Sequence, residues 1–94
     1  MRDNFADVLI LLKNGKYLVT LHAQRRMSER KISHADIRNC GLTGNAVRSD
    51  NKIKVTGYDC DGESMTVVCV SEDGVIIITV FWGVLWEKKN GKKT

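Results

Sequence analysis

Apolar residues follow two regimes along this chain. From Phe5 to about Leu42 they recur at helical spacing; from Ala46 to Phe81 they alternate or run together as in strands. Phe5, Val8, Leu9, Leu11 and Leu12 mark a first helix of about ten residues. Asp3 or Asn4 suits its N-cap, and Lys13-Asn14-Gly15 reads as its end. Lys16–Thr20 is short and β-branched, either a brief strand or an extended connector. Thr20 suits the N-cap of a second helix from Leu21 to Glu29 or Arg30. A turn of 100° per residue puts Ala23 and Met27 on a narrow buried stripe. His22, Arg25, Arg26 and Glu29 fall on a displayed face, with Arg30 at the boundary. Ser33 with Asp36 three residues on has capping-box spacing. A third helix from His34 to about Leu42 is therefore expected, burying Ala35, Ile37 or Ile32, and Cys40, and ended by Gly41 and Gly44.

Ala46–Asp50, Lys52–Tyr58, Ser64–Val70 and Val75–Phe81 each have strand composition. Asp50-Asn51, Asp59–Gly62 and Glu72–Gly74 supply the turns between them. Ile53 and Val55 alternate with Lys52, Lys54 and Thr56, which predicts one buried face. Ser64–Val70 is apolar on both faces and Val75–Val80 nearly throughout, so both are expected to be central. Tight connections make neighbouring strands antiparallel. The predicted architecture is α+β, with the N-terminal helices packed on one face of a four-stranded antiparallel meander. One domain is expected over residues 1–94, with helices in about 3–42, strands in about 45–82 and a basic tail at 87–94.

Composition narrows the classes. An apolar fraction of 43 % supports a real core. Fifteen Lys and Arg against eleven Asp and Glu give a formal charge of +4, which suits a polyanion without requiring one. Cys40, Cys60 and Cys69 are odd in number and form no C-x-x-C pair, so free thiols are expected and no zinc site or cofactor is called for. The early Asp3 and Asp7 argue against a signal peptide, and no apolar run approaches the ~20 residues that span a bilayer. A cytoplasmic protein with no membrane partner is the expectation.

The run Thr20-Leu21-His22-Ala23, then Arg26-Met27, Glu29-Arg30-Lys31-Ile32-Ser33 and Asp36-Ile37, resembles the opening of a family of small bacterial domains, the domain of unknown function 4258. Later marks of that family match Gly44–Val47, Gly57–Gly62 and Ile77–Phe81. The likeness spans about residues 5 to 81. It implies an order of elements similar to that of RelE-type and barnase/EndoU/colicin-like RNases, with some members acting as toxins of toxin–antitoxin pairs or as tips of secreted polymorphic toxins. The chain departs from the pattern at two places. Thr66 stands where members often carry a histidine, and Phe81 where the last strand often ends in tyrosine.

Two functional expectations follow. The first is a RelE-like toxin-type RNA-binding protein that works as a metal-independent ribonuclease, with RNA and an antitoxin as partners. Such cleavage needs a base, an acid and cations at the developing phosphorane charge. His22, Arg26 and Arg30 are the candidate catalytic residues, since an imidazole takes and gives protons near neutrality and guanidinium forks match phosphate. Arg25, Lys31 and Thr79 are the candidate nucleic-acid contacts. The second is a non-catalytic protein-interaction module of phage or mobile-element origin, suggested by the altered Thr66 and Phe81 positions and by Trp82 and Trp86 near the end of the chain. A histidine near a helix start also serves as a tertiary hydrogen-bonding group, and an arginine beside Glu29 as half of an ion pair. His34 is expected to be merely exposed, and Cys60, in a turn, the most reactive thiol.

Overall fold

The computed structural model describes residues 5–83. The expected caps Asp3 and Asn4, the segment Val84–Trp86 and the basic tail lie outside the described residues. Helix α1 (Phe5–Lys13) leads through a left-handed Gly15 to strand β1 (Leu18–Val19). Helices α2 (Leu21–Arg30) and α3 (His34–Thr43) follow, then β2 (Asn45–Ser49), β3 (Lys52–Tyr58), β4 (Ser64–Ser71) and β5 (Val75–Trp82).

The meander forms as expected, with β2, β3, β4 and β5 antiparallel in sequence. The sheet, however, has five strands in the order β1-β5-β4-β3-β2 and is mixed. Leu18 and Val19 add to the edge of β5 in parallel, opposite Ile76 and Ile77. The connector reading of this segment thus gives way to a strand. Its pairing partner lies some 58 residues away, and a two-residue strand has no periodicity of its own to read.

Helices cover one face of the sheet. Ile53 and Val55 of β3, Met65, Val67 and Cys69 of β4, and Val75, Ile77 and Val80 of β5 meet Val8, Leu12, Ala23, Met27, Ile32, Ile37 and Cys40 from the helical layer. A register shift between Val68 and Cys69 leaves Ile78 unpaired and restores Val80 to the buried face. The opposite face carries Lys52, Lys54 and Thr56 of β3, Thr66 and Val68 of β4, and Thr79 and Phe81 of β5.

Two expectations at α3 are corrected. Ala35 is exposed, because Ile37 and Cys40 set the buried stripe. Gly41 lies inside the helix, where it permits contact with α1; a Cβ there would sit 2.7 Å from Leu12 Cβ and 2.9 Å from the Lys13 nitrogen. Gly44 does end the helix.

Candidate functional site

α2 is built as its phase predicts. Thr20 caps it, its hydroxyl accepting from the Ala23 N–H at 3.1 Å. Ala23 and Met27 are buried, while His22 and Arg25 are exposed. The helix ends at Lys31, which adopts the left-handed conformation (φ 57°) that glycine usually supplies. The Ile32 N–H donates to the Met27 carbonyl and the Lys31 N–H to that of Ser28, a Schellman arrangement sealed by the buried Met27 and Ile32.

The helix lies along β5 beyond the point where β1 stops, and it satisfies the strand edge with side chains and with the backbone N–H of its cap. The Thr20 N–H donates to the Ile77 carbonyl at 3.0 Å and its hydroxyl to that of Ile78 at 3.3 Å. Arg30 Nη1 donates to the Val80 carbonyl at 2.9 Å, and Trp82 Nε1 returns a bond to the Arg30 carbonyl at 3.0 Å. A row of open strand groups is an aggregation hazard, and α2 covers it.

The candidate residues are thus brought together only in part. His22, Arg25 and Arg26 share the outward surface of α2, and Arg26 is ion-paired with Glu29 at 2.6 Å. Arg30 is directed to the sheet edge. Lys31 is exposed at the turn. Thr79 lies on β5 opposite Val68, on the sheet face away from the helices. Thr66 and Phe81, the two departures from the family pattern, are a direct cross-strand pair on that same face. Thr66 is 1 % exposed and donates its hydroxyl to the Gly83 carbonyl at 2.7 Å. Trp82 belongs to the α2 anchor.

A second constellation was not expected. The Tyr17 hydroxyl lies 2.8 Å from His34 Nδ1, and the two rings lie 5.9 Å apart, inclined by 22°. Burial pushes the Tyr17 phenol up, and nearby Arg38 pulls it the other way. Arg38 also lines a hollow of about 340 Å³ with Lys13, Asn14, Ala35, Asn39, Leu42 and Cys60. Proximity of Ser33 and Asp36 was readable as a capping box, and both of its bonds form. The meeting of Tyr17 with His34 left no such trace, since the chain reverses between them at Lys31.

The β3–β4 turn is held from α3. Asn39 donates to the carbonyls of Tyr58 and Asp59 at 3.0 and 2.9 Å, and Asp36 accepts from the Cys60 N–H at 3.1 Å. Loss of hydration alone would raise the Asp36 carboxyl, but the bonds from Ser33 and Cys60 outweigh it and hold it below its ordinary value. Asp59, 4 % exposed, accepts from the N–H groups of Asp61 and Glu63 at 2.8 Å each. The Cys60 thiol is raised by desolvation and by the carboxylates of Asp36, Asp59 and Asp61, so its surroundings favour the unreactive thiol. Burial pushes Cys40 and Cys69 up to about 12. Among the described residues no group of His, Cys, Asp and Glu has the arrangement of a metal site, and no helix is long and apolar enough to cross a membrane.

Fold and helix signature together define a small α+β domain, three helices laid over a mixed sheet with a His/Arg-bearing helix along one edge. The family model for the domain of unknown function DUF4258 matches residues 19–82, and the chain belongs to that family. No curated protein and no solved structure matches it significantly.

Proposed function

We propose that this chain is an RNA-binding protein of the RelE-like toxin type, which grips the sugar–phosphate backbone with the outward surface of α2. The observation that carries the reading is the display of His22 and Arg25 on a helix clamped to β5 at both ends. The clamped helix fixes the backbone of Arg25, so only its side chain has to order when it meets a phosphate. Exposed Lys31 and the net charge of +4 add to the attraction.

The geometry favours binding over cleavage at this surface. Arg30 is occupied by the Val80 carbonyl, Arg26 by Glu29, and the Thr66 hydroxyl by Gly83. His22 remains the candidate general base for a metal-independent ribonuclease. A short single-stranded RNA, followed by anisotropy between about 50 and 200 mM salt, tests the reading. Arg25→Ala should weaken binding and lower the salt slope by about 0.7. Absence of binding at the lower salt would sink it. Strand scission lost in His22→Ala would add the catalytic step.

One observation favours the second reading, a partner-binding module. Leu18 and Leu21 are 68 % and 65 % exposed and lie close together in sequence at the β1 edge. Size-exclusion mass at two concentrations tests it; a strict monomer at both, with no bound partner in a pull-down, would count against it.

A further inference from the structure

The sheet face away from the helices is one-sided in charge. None of the five strands contains Asp or Glu. Lys52 and Lys54 of β3 stand on this face, and Tyr58, in phase with them, is 51 % exposed. The register places Phe81 of β5 opposite Thr66 of β4, and Thr66 opposite Thr56 of β3, two residues before Tyr58. Strands about 4.8 Å apart with a rise of about 3.4 Å per residue then set the Tyr58 and Phe81 backbones roughly 12 Å apart. The short side chains of Ser64 and Thr66 lie between them. Lys54, Val68 and Thr79 form a neighbouring row. The apolar groups that stand clear, Leu18 and Val47, lie on the two edge strands, and Val68 at the centre is 5 % exposed. The face therefore has no central apolar pocket of the kind a protein anchor fills.

We propose that single-stranded RNA lies across this face, its bases stacked on Tyr58 and Phe81 and its phosphates met by Lys52 and Lys54. The inference rests on the RNA-binding reading and extends it from α2 to the sheet. Every base has a π-face, so two separated rings hold bases without choosing among them. The Tyr58 backbone is fixed on both sides. Its N–H donates to Thr43 Oγ1 at 3.0 Å and its carbonyl accepts from Asn39 at 3.0 Å, so only the ring has to order on binding. Two ammoniums on a sheet without a carboxylate attract a polyanion. Acidic groups begin beyond Tyr58, in the β3–β4 turn, where the Asp59 carboxylate accepts from the N–H groups of Asp61 and Glu63. A phosphate avoids that end, which leaves the RNA backbone over Lys54 and Lys52. Thr79, in line with Lys54 across Val68, offers a hydroxyl to ribose or phosphate.

Amide chemical-shift mapping of the whole chain with a short single-stranded RNA tests the proposal, read beside anisotropy with that RNA and with an abasic strand of the same length. The RNA should shift the amides of Lys52–Tyr58 and of residues 79–82 as well as those of α2. The abasic strand should bind about tenfold more weakly than the RNA. Tyr58→Ala should weaken the RNA by about tenfold and leave the abasic strand unchanged. Lys54→Ala should lower the salt slope of both by about 0.7. The Tyr58 and Lys54 side chains lie outside the core, and the spectrum itself reports whether each variant is folded. The proposal is overturned if the two strands bind alike, if Tyr58→Ala leaves RNA binding unchanged, or if the shifts are confined to α2; the last result would leave the RNA-binding reading of α2 intact. No RNA binding at low salt would overturn both. Shifts of the sheet face that depend on protein concentration without RNA would assign it to a second copy of the chain and overturn the proposal.

Discussion

At the scale of single residues, chemically similar groups on one helix do different work. Arg25 and Arg30 both belong to α2, yet one faces water and the other completes the hydrogen bonding of a strand. Helical phase placed Arg30 at the boundary of the buried stripe, which was correct, but phase carries no information about the strand edge beside it. The two arginines should therefore separate in experiment. Arg30→Ala leaves the Val80 carbonyl without its donor and should cost about 1–3 kcal/mol in urea denaturation. Arg25→Ala should stay within about 0.5 kcal/mol of wild type. Equal losses would show that Arg30 is not an anchor. His34 carries the same lesson in reverse. It reads as an exposed residue following a cap and is exposed, yet it also meets Tyr17 across a chain reversal through a left-handed lysine, where sequence rules look for glycine.

At the scale of elements, most of the fold was legible. Helix caps, the capping box at Ser33 and the four strands of the meander all follow from patterns of fewer than ten residues, and such local signals survive into the structure. The elements that were left open or misread depend on partners. β1 exists because β5 offers an edge, and Gly41 belongs inside α3 because α1 crosses close to it. Glycine in mid-helix resembles a terminator unless the neighbouring helix is known. Gly41→Ala should force α1 and α3 apart, since the added carbon would lie 2.7 Å from Leu12 Cβ. A loss of about 1–3 kcal/mol by thermal or urea denaturation is expected, although alanine is the better helix former. A neutral or stabilising effect would mean that the helices separate freely.

At the scale of the whole molecule, the candidate site is only partly legible for a simple reason. A helix declares which residues it displays, but not which other element stands opposite them. The α2 surface could be listed from the sequence; the meeting of Tyr17 with His34, and of Lys13 with Arg38 around one hollow, required the packing of the helices. The pairing of β1 with β5 bears on the order of folding. The antiparallel meander forms through contacts between neighbours in sequence, whereas α2 and its cap are attached by bonds to Ile77, Ile78 and Val80 that close loops of 50 to 58 residues. Closing long loops is slow relative to hairpin formation. The α2–β5 seam should therefore be the last part to assemble and the first to open, with the Thr20 amide exchanging its hydrogen sooner than the amides of β4. Exchange of both at one common rate would instead mark the domain as a single cooperative unit.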